Sequence, residues 1–177
     1  MKKTFSITVS MLCAAFFLFV SCQKENSTQV QTEAQYLSAN LNAQGETPPF
    51  NLEVILRGEG KRFGLIKFRQ DNDAEKIITL DTWVRDLAPN HEYLLQRAVD
   101  AINIADGICT STSWLTLGKG LVAKSILTDA KGTGREELWR NVSAVPTGSK
   151  FDIHFRVLDA TNRTAVLTSD CYQYVVR

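Results

Sequence analysis

The residues whose types allow nucleophilic or metal chemistry are few in this chain of 177 residues, which has four cysteines and two histidines. They are Cys13, Cys22, Cys109, Cys171, His91 and His154. A catalytic thiol needs a base beside it, and neither Cys109 nor Cys171 has a histidine nearby in sequence. We therefore predict no catalytic residues, and the cysteines must be interpreted from the segments around them.

Cys22 closes a short apolar segment that begins at Phe5 and follows Lys2 and Lys3. The segment is shorter than the roughly 20 apolar residues that a membrane-spanning helix needs. Ser21 followed by the cysteine resembles the end of a bacterial lipoprotein signal peptide, where a peptidase cuts and the thiol receives acyl lipid such as palmitate. We therefore predict that residues 1–21 are a signal peptide and that lipidated Cys22 holds the chain to a membrane.

The residues that flank Cys22 leave one alternative and indicate a location. Phe19 is bulkier than the Leu or Val usually found three residues before such a cysteine, so an ordinary secretory signal that is cut elsewhere remains the alternative. Gln23, Lys24 and Glu25 lack the aspartate that retains lipoproteins in the inner membrane, and they resemble the export tags of surface-exposed outer-membrane lipoproteins. We expect a lipid-anchored protein of the cell outer membrane, and surface exposure is what the likeness to those tags implies.

The charge balance excludes one class of partner. The chain has 20 Lys+Arg against 19 Asp+Glu, and the charges are interspersed. A nearly neutral chain lacks the basic surface that nucleic-acid binding requires, so no nucleic acid is expected as a partner.

The chain after Cys22 divides into a tether and a domain. Residues 22–48 are mostly Gln, Asn, Ser, Thr, Ala and Glu, and they have too few large apolar side chains to offset the entropy of ordering. As a flexible coil this tether would span roughly 25–30 Å. Residues 49–177 are long enough for one domain with a core of its own.

The domain has the alternating apolar pattern of β-strands. Val54 and Leu56 alternate with polar residues, and similar runs recur between turn-forming residues. The remaining strand candidates are 63–70, 78–84, 93–99, 126–128, 138–139, 151–158 and 172–176. Gly118-Lys119-Gly120 reads as a turn. No segment has a sustained helical period, so we predict an all-β domain built as an antiparallel Greek-key sandwich.

Two local features favour the sandwich. The spacing from Leu87 to Tyr93 is that of a tyrosine corner, in which the hydroxyl ties a strand start to the preceding turn. Once Cys13 is removed and Cys22 lipidated, Cys109 and Cys171 remain as an even pair in an oxidising compartment. We predict a disulfide between them, and two unpaired buried thiols are the alternative.

The domain also resembles copper/zinc superoxide dismutases. The runs 54–60 and 64–70 are similar to the first hairpin of that family, and 84–91 to the strand and turn that enter its copper site. The run 106–111 resembles its Gly-Cys-Thr-Ser segment, and 169–172 lies where the partner cysteine belongs. The resemblance implies a superoxide dismutase-like sandwich with that disulfide. An immunoglobulin- or fibronectin-like sandwich is the rival fold.

The metal ligands of that family are missing from this sequence. The strand that should carry a His-x-His pair has Leu94, Leu95 and Gln96, and two histidines cannot supply both a copper and a zinc site. Asp71-Asn72-Asp73 and the run 129–134 are interpreted as turns rather than cation sites. We therefore predict no metal and no cofactor.

Trp114 is the candidate binding residue, because it lies in the long segment 100–120, and long loops on rigid sandwiches often carry binding function. Packing in the core is the alternative for this and the other tryptophans.

We predict a non-catalytic envelope lipoprotein whose β-sandwich binds a protein or glycan or plays a structural role, and not an enzyme. The alternative is a divergent metal-dependent oxidoreductase.

Overall fold

The computed structural model describes residues 49–177, so the predicted signal peptide and the whole predicted tether, which begins at Cys22, lie outside the described residues. The described part contains twelve β-strands and no helix, and thus no helix that is long and apolar enough to cross a membrane. The strands are β1 (Phe50–Arg57), β2 (Phe63–Gln70), β3 (Ile77–Arg85), β4 (Glu92–Val99), β5 (Leu115–Thr116), β6 (Gly118–Lys119), β7 (Val122–Ala123), β8 (Ser125–Leu127), β9 (Gly134–Asn141), β10 (Lys150–Asp159), β11 (Ala165–Ser169) and β12 (Tyr172–Val175).

The all-β prediction is confirmed, but the strands form one curled sheet rather than two separate layers. The sheet runs β5-β4-β10-β11-β1-β2-β3-β9-β6-β7, with β12 on β10 and β8 on β4. A bridge between Thr128 and Gly134 connects the end of β8 to β9, which brings the sheet close to a closed barrel. All the pairings are antiparallel except that of β6 with β9.

The curled sheet buries one face of each long strand. Inner-face residues follow the two-residue period of a strand, as in β3, where Ile78, Leu80, Thr82 and Val84 are all buried. The core is made by Val, Leu, Ile, Phe and Tyr side chains from all the long strands. Hydrophobic burial at about 25 cal/mol per Å² is the main stabilising contribution.

The predicted turns occur where the side chains can hold them. The Asp73 carboxylate accepts hydrogen bonds from the backbone N–H groups of Glu75 and Lys76, which reverses the chain between β2 and β3. The Asp129 carboxylate accepts from Lys131 and Thr133 in the same way.

The structure differs from the turn predicted over 118–120. Gly118 lies in β6, and only the following Gly120 is in a turn. A Cβ on Gly118 would lie 1.8 Å from the carbonyl oxygen of Val122, so only glycine permits the close β6–β7 pairing.

The tyrosine corner is confirmed. The Tyr93 hydroxyl accepts a hydrogen bond from the Ala88 N–H at 2.9 Å, and Tyr93 itself is buried. Thr128 closes the same corner by donating to the carbonyl of Ala88. The corner fixes the start of β4 against the end of β8.

The disulfide is also confirmed. Cys109 and Cys171 are bonded, with Cα atoms 5.4 Å apart and a sequence separation of 62. The bond ties the segment between β4 and β5 to the residue that precedes β12. It therefore connects a long excursion of the chain to the strands near the C-terminus.

We expect the Cys109→Ser/Cys171→Ser double variant to unfold with a free energy about 4 kcal/mol lower, because the cross-link closes a long loop in the unfolded chain. Urea unfolding followed by tryptophan fluorescence measures this loss, and reduction of the unmodified protein should reproduce it. Alkylation of two thiols in the unreduced, denatured protein would contradict the disulfide.

Candidate functional site

The first candidate, Trp114, packs on the outer face of the sheet. The Arg156 guanidinium lies 4.0 Å from the centre of the Trp114 ring, and the His154 ring centroid lies 4.6 Å from it. Both partners project outward from β10. Trp114 is half-buried, so these contacts attach its segment to β10 and leave part of the indole ring accessible.

Polar contacts hold this segment in place. The Asp100 carboxylate accepts hydrogen bonds from the N–H groups of Thr110 and Ser111 and from the Thr110 hydroxyl. The bond from the Thr110 N–H is the largest of the causes that lower the pKa of Asp100. Asp152, which is fully buried, accepts from the N–H of Gly107. With the disulfide, these bonds cover the outer face of β4 and β10.

The two histidines occupy separate places. The Nε2 atom of His91 lies 3.0 Å from a carboxylate oxygen of Asp159, and this interaction is the first cause of the lowered pKa of Asp159. The Nε2 atom of His154 lies 3.0 Å from the Ser111 carbonyl. Between residues 49 and 177 no group of three or more His, Cys, Asp or Glu side chains is arranged to hold a metal ion.

Gln96 lies on the strand where the family resemblance implied a histidine ligand. Its side chain donates to the Thr116 hydroxyl at 2.8 Å and accepts from the Arg156 guanidinium at 2.9 Å. Gln96 is buried beneath the Trp114 segment. These two bonds connect β4 to β5 and β10.

A cavity of about 170 Å³ opens at one end of the barrel-like sheet. It lies where β2, β4 and β9 end and where β3 and β10 begin. Its floor is made by buried core residues, including Leu80, Leu117 and Phe155, and its rim by half-buried Val142 and Val145. The only charged side chains that line it are Arg97 and Arg140. The cavity is therefore apolar, with a guanidinium contributed by each of two strands.

The strand register places both arginines on the inner face of the sheet. Arg97 is paired with Phe155 across the β4–β10 ladder, and Arg140 is paired with Ile78 across the β9–β3 ladder. Directly paired residues project to the same face, and both Phe155 and Ile78 belong to the core. The preceding inward position holds a buried leucine in both strands, Leu95 in β4 and Leu138 in β9.

The electrostatics of Arg97 differ from those of an ordinary surface arginine. Burial, and next the positive charge of Arg140, lower the pKa of Arg97. The guanidinium remains charged at neutral pH because arginine side chains are not deprotonated in proteins. Two positive charges therefore share one apolar cavity.

Sequence reasoning missed this cavity. The signal that was available is the alternation Tyr93, Leu95, Arg97, Val99, in which one charged residue stands at an inward position of an apolar series. Of the predicted site residues, the structure joins Cys109 to Cys171 and packs Trp114 against Arg156 and His154 of β10, whereas Cys22 lies outside the described residues. Comparisons with protein-family models, with curated proteins and with solved structures find no match.

We expect the Arg97→Met variant to be more stable than the unmodified protein by about 1 kcal/mol, because methionine removes a desolvated charge and its repulsion of Arg140. Urea unfolding gives the free energies. Arg135→Met on the outer face of β9 is the control, since it removes an exposed ion pair with Asp81 and should lower stability slightly. Any loss of stability in Arg97→Met would contradict the prediction.

Proposed function

We propose that this chain is a non-catalytic lipoprotein of the cell envelope whose β-domain binds a small apolar ligand in the cavity between β4, β9 and β10. The observation that carries the proposal is the cavity itself. It is open to solvent and lined by apolar side chains, and its few polar groups converge from separate strands. Ligand sites have this composition, since apolar walls supply affinity and a few placed polar groups supply orientation.

The size of the cavity supports a small ligand. A dry apolar cavity of roughly 150 Å³ holds one benzene molecule, so a space of 170 Å³ suits a body of about six to nine heavy atoms. Binding of a protein or glycan is the role considered for Trp114, which lies outside the cavity and whose ring already contacts Arg156 and His154.

The location rests on the sequence around Cys22. The short apolar segment, the Ser21-Cys22 junction and the polar tether support anchoring of residues 49–177 to the outer membrane by lipid. A ligand-binding domain at the end of such a tether would sample the space next to the membrane.

A superoxide dismutase-like sandwich is the finer fold that we propose for the domain. It is supported by the disulfide at the position that the resemblance implied and by the tyrosine corner at the entry to β4. An immunoglobulin- or fibronectin-like arrangement is the alternative. A metal-dependent oxidoreductase is the less favoured function, because His91 binds Asp159 and His154 packs on Trp114 at separate places.

The Cys22→Ser variant tests the anchor. Without the thiol there is no acceptor for lipid, so we expect the protein to leave the membrane fraction or to accumulate as the uncut precursor. Membrane fractionation with intact-mass measurement distinguishes these outcomes. A variant that stays in the membrane at an unchanged mature mass would contradict lipidation.

A cavity-filling variant tests the ligand site. We expect toluene to shift the methyl resonances of Ile78 and Ile153 in a saturable way when it is titrated into the mature protein in lipid nanodiscs. Val145→Trp, at the rim of the cavity, should weaken this binding at least tenfold by occupying the space. Val122→Trp is the matched control, because Val122 is 73% exposed and outside the cavity. Equal binding by both variants would place the ligand elsewhere.

A further inference from the structure

The two arginines of the cavity differ from the ion-paired arginines of the domain in that they lack a counter-charge. Within residues 49–177 the ion pairs of arginine are those of Arg69, Arg85 and Arg135, and all three lie on the exposed surface. Neither Arg97 nor Arg140 forms an ion pair with a carboxylate in this part of the chain. Their charges are therefore not neutralised by the described residues.

The acidic side chain that shares the inner face of β9 with Arg140 already has an ion-pair partner. Glu136 lies on the inner face of β9, and its carboxylate binds the Lys119 ammonium at 2.9 Å. Arg140 donates only a long hydrogen bond of 3.4 Å to the carbonyl of Gly120. The Arg97 guanidinium has no hydrogen-bond partner among residues 49–177.

Arg156 shows how this domain treats an arginine that has a structural role. Arg156 is also partly buried, and burial lowers its pKa as it does for Arg97. Its guanidinium, however, donates to the Gln96 side chain and stacks on Trp114. Arg97 has the burial without comparable partners, which leaves its five N–H donors available to a molecule in the cavity.

We propose, resting on the ligand-binding function above, that the cavity takes a small apolar monocarboxylate, with its tail among the core residues and its carboxylate between Arg97 and Arg140. Guanidinium groups bind carboxylates through paired, charge-assisted hydrogen bonds. The anion would cancel the repulsion between the two cations, and the apolar walls would select a short acyl chain or a single aromatic ring. A neutral ligand of the same shape would leave both charges unpaired.

The test compares acids with their neutral isosteres. Hexanoate and benzoate, and then hexanamide and benzamide, are titrated into the mature protein in nanodiscs of zwitterionic lipid, with methyl resonances of Ile78 and Ile153 as the readout. We expect each carboxylate to bind at least tenfold more tightly than its amide and to weaken as salt is raised. Binding of acid and amide with equal affinity would overturn the anion inference while the proposed binding function survives. If neither the acids, nor the amides, nor toluene binds, both the anion inference and the proposed binding function are overturned.

Variants of Arg97 and Arg140 test whether these two residues cause the preference for carboxylates. Arg140→Met and Arg97→Met should each lose at least tenfold in carboxylate affinity and keep their affinity for the amides. Arg97→Lys retains the charge but not the planar pair of donors, so it should recover only part of the loss. Arg135→Met, on the outer face of β9, should bind like the unmodified protein. Retention of full carboxylate affinity in both methionine variants would overturn the assignment.

Discussion

The inner face of the curled sheet is the constraint on which the rest of this structure depends. Because one sheet bends back toward itself, every inward side chain must be accommodated in a single interior. Val54, Leu56 and Ile66 meet this demand by close packing. At the end where β4 and β9 stop, the inward positions hold Arg97 and Arg140, whose guanidinium groups resist complete burial. The cavity follows from that choice of residues.

The outer face of β4 is also covered, which makes this wall of the cavity rigid. Gln96 and Ala98 are buried although they project away from the core, because the segment after β4 folds over them. The Asp100 hydrogen bonds and the Cys109–Cys171 disulfide hold that segment in place. Strand β4 therefore presents Arg97 from a backbone that is fixed on both faces, and preorganised donors lose less entropy when they bind.

The sequence was sufficient for features that are decided locally. Long strands were predictable from alternation, as at Val54 and Leu56, and the turn at Asp129 from its side-chain chemistry. The short strands β5, β6, β7 and β11 were missed, because pairings of two to five residues are decided by distant partners rather than by local pattern. The cavity was unpredictable for a related reason, since it requires knowing that Arg97 is paired with Phe155 and Arg140 with Ile78.

The cost of the arginine pair is the strongest argument that it serves binding rather than folding. A methionine at position 97 would continue the apolar inward series of β4, and a methionine at either position would bury more apolar surface. A single buried arginine can be explained by a structural partner, as Gln96 and Trp114 explain Arg156. Two that repel each other at inward positions have no carboxylate partner among the described residues, and the only hydrogen bond that either guanidinium makes there is the long one from Arg140 to the Gly120 carbonyl. Destabilising charge that converges on an open apolar space is the arrangement expected where a ligand supplies the missing countercharge.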